Sequence, residues 1–181
     1  MSLPHIPTDD ALHMIQSDRR EPGNEARPDA AQFRYTLGNF CSGVTVITGL
    51  SSDGHPIGFA CQSFTSLSID PPQILVCPGK TSTSWPRIAA TGRFTANVLA
   101  HDQQAVCVAF GSSTGTKFES APWTTRHGAV LIANALAWID CDIETVHDGG
   151  DHHIVVGAVR ELRVERENES PLVFFRGSYG L

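Results

Sequence analysis

Between Leu136 and Val146, Ile139, Cys141 and Ile143 alternate with Asp140, Asp142 and Glu144. A period of two belongs to a strand with one face buried and the other wet. The Gly149-Gly150 turn region follows, and His152–Val164 reads as the return strand. This antiparallel pair constrains the chain more than any other segment.

The neighbouring segments agree with it. Val44–Thr48 is β-branched and reads as a strand, and Asp53-Gly54 is a hairpin-type turn signal. Gly58–Ile69 reads as one long extended stretch, ended by Asp70-Pro71-Pro72 because proline cannot donate to a ladder. Gln73–Cys77, Phe94–Leu99 and Leu172–Phe175 read as further strands. Helices are fewer. Asp29 is a candidate N-cap before Phe33, Leu37 and Phe40 at helical spacing. Ser82–Ala90 is a short helix carrying Trp85 and Ile88. Asp102–Phe110 is another, with Ala105, Val106, Ala109 and Phe110 on its apolar face. Strands following one another at hairpin range predict a mainly β, antiparallel barrel or sandwich with a few helices.

The 181 residues make one ordinary domain, at 41% hydrophobic and 18% charged. Residues 1–28 differ. Pro4, Pro7, Pro22 and Pro28 punctuate a segment poor in apolar residues, which reads as a flexible tail with a short helical turn near Ala11–Gln16. Residues 29–181 form the domain. A net charge of −6 gives no electrostatic reason to expect nucleic acid or an anionic membrane as partner. No apolar run reaches the ~18 residues of a membrane span, and no signal peptide is evident, so a cytoplasmic protein is expected. Five scattered cysteines without a C-x-x-C read as mostly buried thiols rather than a disulfide framework or zinc site.

Gly79-Lys80-Thr81 looks like the end of a P-loop, but Ile74 stands where that motif needs its first glycine. The segment still places Pro78, Gly79, Lys80, Thr81, Ser82, Thr83 and Ser84 after an apolar strand and before a helix. Glycine admits close backbone approach, and hydroxyls and N–H groups can hold an anion. Lys80 and Lys117 are the chain's two lysines, and Lys117 follows a second such loop, Gly111–Thr116. A ligand with phosphates and a pair of ordinary polar loops both remain open. Gly111–Gly115 also fits G-x-S-x-G around Ser113, without the strand-then-helix context of a hydrolase elbow. The cluster His147–His153 reads as a polar turn, a metal site or a pocket for a flat ligand. Adjacent strand residues face opposite ways, so His152 and His153 do not readily share one ion, and no metal is expected.

An ordered set of motifs carries a resemblance. These are Phe40–Thr48, Gly58–Phe64, Ser66–Pro72, Phe94–Leu99, Phe110-Gly111, Gly150-Asp151-His152, Gly157-Ala158-Val159 and Phe175–Tyr179. From about Phe33 to Tyr179 the chain resembles the flavin reductase-like family with the FMN-binding split-barrel fold, most nearly the small reductase components of two-component flavin-dependent monooxygenases.

The resemblance implies a fold, a reaction and a site. Pro56, Ile57, Gly58, Phe59, Ala60, Gln62 and Ser63 would border the flavin ring. Cys77 to Thr83, with Ser66 and Ser68, would hold the ribityl and phosphate end, extended by Gly111, Ser112 and Lys117. Gly150, Asp151 and His152, with Arg176 and Tyr179, would form the nicotinamide side, with His152 as the catalytic positioning residue. The implied flavin is FAD in preference to FMN, and NADH is expected in preference to NADPH because the sequence offers no Arg cluster for a 2′-phosphate. The implied partners are a separate monooxygenase that receives reduced flavin and a second copy of the chain. The competing readings are a non-catalytic flavin- or haem-binding split-barrel module and a hydrolase.

Overall fold

The structure, a computed structural model, describes residues 27–112 and 117–180. The expected tail, with its helical turn at Ala11–Gln16, falls almost wholly outside the described residues, as does Ser113. The chain clusters into two units, Met1–Thr36 and Leu37–Leu181. The described part of the first holds all but the last residue of helix α1 (Ala30–Leu37). Asp29 caps it as expected. Its Oδ1 accepts the Gln32 N–H at 2.8 Å, and Gln32 Oε1 accepts the Asp29 N–H at 3.2 Å. The apolar spacing of α1 does not mark a buried face, since none of its residues is buried.

Among the described residues of the second unit, twelve strands and two further helices follow in chain order: β1 (Ser42–Gly43), β2 (Thr45–Leu50), β3 (Pro56–Cys61), β4 (Phe64–Ile69), β5 (Pro72–Val76), α2 (Trp85–Ala89), β6 (Arg93–Val98), α3 (Gln104–Gly111), β7 (Trp123–Arg126), β8 (Ala129–Ile132), β9 (Ala137–Gly149), β10 (His152–Val164), β11 (Val173–Phe175) and β12 (Ser178–Tyr179). The main sheet runs β3-β2-β6-β9-β10-β5-β4, and all its pairings are antiparallel.

The stretch Gly58–Ile69 is therefore two strands rather than one, and β3 and β4 occupy opposite edges of that order. Seven strands laid flat would hold those edges about 29 Å apart. The link Gln62–Ser63 spans only about 10 Å. The sheet must curl until its edges meet, which makes it a barrel split at this junction.

Ile47, Ile57, Ile74, Val76, Phe94, Cys141 and Val155 fill the barrel, and α2 adds Trp85 and Ile88 to them. The other face of β2 carries Val46, with Val44 just before the strand, into a second cluster with Cys107 and Phe110 of α3. A strand buried on both faces loses the alternation that a half-exposed strand shows.

Two further expectations are corrected. Asp140 is buried, at 1% exposure, rather than wet. The hairpin β7–β8 covers that face of β9, packing Ala129 and Leu131 against Trp138. Asp140 is held by Arg93, whose Nε lies 3.0 Å from both carboxylate oxygens, and by the Thr95 hydroxyl at 3.0 Å. On α3, Ala105 is exposed, while Cys107, Phe110 and the preceding Gln103 are buried. Gln103 satisfies its amide by accepting from Ala100 N–H and donating to the Ala133 carbonyl. Cys41 is exposed, whereas Cys61, Cys107 and Cys141 are buried and all five thiols are free. No helix among the described residues is long and apolar enough to cross a membrane.

Candidate functional site

The site begins where the barrel is split. The Ser63 hydroxyl donates to the Cys77 carbonyl at 3.0 Å and accepts the Cys77 N–H at 3.1 Å. It also lies 3.3 Å from Cys61 Sγ. One small side chain thus ties the β3–β4 junction to the end of β5. Gln62 and Ser63 themselves remain exposed. Further along β4, Ser66 stands opposite Ile74 and Ser68 opposite Gln73, across a bulge. Ser68 is therefore about 13 Å up the sheet from Cys77, farther from the loop than Ser66.

The loop after β5 runs edge to edge with the β9–β10 turn. Gly79 and His152 form an isolated antiparallel bridge. His153 N–H donates to the Pro78 carbonyl, and Lys80 N–H to the Asp151 carbonyl, both at 2.9 Å. A Cβ at Gly79 would stand 3.6 Å from His152 Nε2, so the ring faces this glycine. The Lys80 ammonium pairs with the Asp148 carboxylate, and His152 Nδ1 lies 2.7 Å from Asp151 Oδ1. The hydrogen bond to Lys80 draws the Asp148 carboxyl below its ordinary range, and that to His152 does the same for Asp151. Thr81 and Thr83 are exposed, while the Ser82 hydroxyl accepts the Trp85 N–H at 3.1 Å where α2 begins. Gly150 takes φ +77, which the turn requires. Two segments about seventy residues apart in sequence thus form one surface of backbone, hydroxyls, a lysine and a histidine.

The β3 segment lies on the other side of the junction. Ile57 and Gly58 are buried, and Pro56, Phe59 and Ala60 are half-buried. The Gly58 carbonyl accepts the Ser84 hydroxyl and the Lys117 ammonium, each at 3.1 Å. Lys117 is therefore engaged by the strand, and partial burial lowers its pKa. A Cβ at Gly58 would meet the Phe110 ring at 2.7 Å, so glycine is what lets α3 lie on this strand. Gly111 is exposed at the end of α3 and Ser112 is half-buried, whereas Ser113–Thr116 lie outside the described residues.

Arg176 and Tyr179 stand apart from the hairpin turn. They belong to the small sheet β1-β11-β12 and the turn within it. Arg176 donates to Asn39 Oδ1 and stacks on Phe175. The Tyr179 hydroxyl lies 3.2 Å from Cys107 Sγ. These two are therefore held by other elements than those that hold His152. Among the described residues, no three or more His, Cys, Asp or Glu side chains converge as metal ligands.

Asp148 lies within the polar turn cluster of the sequence, but its pairing with Lys80 and the bond from Ser84 to Gly58 were not expected. Neither contact has a local signal, because each joins segments distant in the chain.

Known proteins share this architecture. The flavin reductase like domain matches residues 37–180. The reductase subunit HsaB of a flavin-dependent monooxygenase from Rhodococcus jostii is 51% identical over 152 residues, 83% of this chain and 77% of that one. A flavin reductase from Pseudomonas putida is 44% identical over 84% of this chain and 89% of its own. Among solved structures, nitrilotriacetate monooxygenase component B from Mycobacterium thermoresistibile superposes with a TM-score of 0.79 at 47% identity, covering 83% and 84% of the two chains. The NADH:FAD oxidoreductase SgcE6 of Streptomyces globisporus, in complex with NAD and FAD fragments, superposes with a TM-score of 0.79 at 33% identity, covering 84% and 92%. A family match that spans the barrel from its first strand to its last, with half the aligned residues held in common with a curated relative, makes this chain a member of the flavin reductase-like family.

Proposed function

We propose that the chain is a cytoplasmic NADH:flavin oxidoreductase that binds FAD, or FMN, without a covalent bond and delivers the reduced flavin to a separate monooxygenase. The observation that carries this reading is the bridge between Gly79 and His152. It sets a loop suited to an anion against a turn bearing a histidine, as a site for two nucleotides requires. The relatives support it by their names. One is an NADH:FAD oxidoreductase, another an FMN reductase (NADH), and others are reductase components of monooxygenases.

The residues present suit such ligands. Gly79 lets backbone N–H groups approach a phosphate, with exposed Lys80, Thr81 and Thr83 beside it. Ser63 holds the β3–β4 junction in place, so the backbone of Gln62 and Ser63 can serve as a rigid edge for the flavin ring. Asp151 orients the His152 ring, which positions the nicotinamide. Hydride acceptance from the reduced nicotinamide is the chemistry a bound flavin would supply here, so the protein need supply no nucleophile. FAD is favoured over FMN and NADH over NADPH.

Gln62, Ser63, Lys80, Thr81, Asp151 and His152 are all exposed, whereas ligand sites ordinarily enclose most of their ligand. A second copy would supply the missing wall. Exposed Leu67, Ile69, Leu162 and Val164 provide apolar surface for such a contact. A homodimer is therefore part of the proposal.

Steady-state NADH oxidation across FAD, FMN and both nicotinamides is the test. Oxidation should depend on added flavin and saturate with it. Full turnover after exhaustive removal of free flavin would refute an exchangeable flavin. Light scattering should give a dimer, and a fully active monomer would remove the second wall.

A further inference from the structure

We propose that Asp148 is a latch on Lys80 that sets how tightly the flavin phosphate is held. The inference rests on assigning the 77–83 loop to that phosphate.

The Lys80 ammonium, from the loop, forms an ion pair with the Asp148 carboxylate at the end of β9. The backbone of the loop is fixed independently. Lys80 N–H donates to the Asp151 carbonyl and His153 N–H to the Pro78 carbonyl, and these two bonds make the bridge between Gly79 and His152. Loop and turn therefore stay together without the ion pair, and the Lys80 side chain is free to change partners.

An ammonium on a flexible stem carries three donors and can turn from one anion to another. While Asp148 holds it, its charge is neutralised and a phosphate must compete for it. Asp148, 78% exposed, and Asp151, 94% exposed, also place two carboxylates beside the incoming phosphate and repel it. An exposed ion pair is weak, so the exchange costs little in either direction. The consequence is moderated affinity. The loop recognises a phosphorylated flavin but does not hold it firmly, as release of reduced flavin to another enzyme demands. Asp148 is thus an affinity-setting residue and does not take part in hydride transfer.

The test is flavin binding to the full chain, followed by fluorescence at low ionic strength. FAD, FMN and phosphate-free riboflavin are the probes, with Lys80→Ala, Asp148→Asn and the double variant. Asp148→Asn should tighten FAD and FMN about three- to tenfold and leave riboflavin unchanged. The gain should shrink with added salt and be clearly smaller on the Lys80→Ala background, where only the direct repulsion is left. Unchanged or weaker FAD binding in Asp148→Asn, with Lys80→Ala weakened, overturns the latch and leaves the phosphate assignment standing. Unchanged FAD binding in Lys80→Ala overturns that assignment and the latch with it. Equal tightening of riboflavin would show that Asp148 acts through the shape of the turn, and overturns the latch as well.

Discussion

His152 Nδ1 lies 2.7 Å from Asp151 Oδ1, and the Nε2 edge of the same ring faces Gly79. The ring is held from one side by the turn and stands over the loop on the other. Removing it should slow hydride transfer on the order of 10²-fold and raise the KM for NADH, because misplacement by about an ångström costs that much. Flavin affinity should stay near wild type. Rapid-mixing measurement of flavin bleaching in His152→Ala checks this. A wild-type rate there, beside a slow His153→Ala, would assign the role to the other face of β10.

Gly157 on β10 lies under the Phe94 ring, where a Cβ would come within 2.6 Å of it, and within 3.0 Å of Cys141 Cβ. Both neighbours belong to the barrel core and cannot retreat. Gly157→Ala should destabilise the fold by about 1–3 kcal/mol through overpacking. Gly43→Ala, which meets open space, should change little. Urea midpoints of the two variants give the comparison.

Arg93 carries the buried Asp140 carboxylate, with Arg160 Nε at 3.6 Å as a weaker second cation. Arg93→Met would leave Asp140 buried with Thr95 as its remaining close partner. Losing one member of a buried pair costs about 3–5 kcal/mol, and Arg160 places the expectation at the lower end. Arg93→Met, Asp140→Asn should recover part of that loss in the same unfolding assay, because the stranded charge is gone.

The hydrogen bond between Tyr179 and Cys107, with burial, pushes the phenol pKa up to about 12 from an ordinary 10.0. A folded-state pKa above the unfolded one keeps its stabilisation whole below about pH 10 and loses it as pH rises toward 12. The thermal midpoint of the wild type should therefore fall across that window, and Tyr179→Phe should remove this part of the fall.

What the sequence determined by itself was the class of fold and the position of most strands. The alternation around Ile139–Ile143 and the Gly149-Gly150 turn located the β9–β10 hairpin, and Asp53-Gly54 located the turn between β2 and β3. Asp29, Trp85 and Ile88 marked a cap and a buried helix. These are local signals, set by side-chain period and turn geometry within a few residues. The tertiary structure alone decided the rest. It broke Gly58–Ile69 into the two edges of a curled sheet, because closure of the barrel has no signature in one strand's pattern. It buried Asp140, because the second face of β9 is covered by a hairpin that carries Arg93's other contact, the His127 carbonyl. It joined Lys80 to Asp148 and Gly79 to His152, because the order of strands brings β5 beside β10, and a pairing between segments about seventy residues apart is fixed by the sheet rather than by either segment.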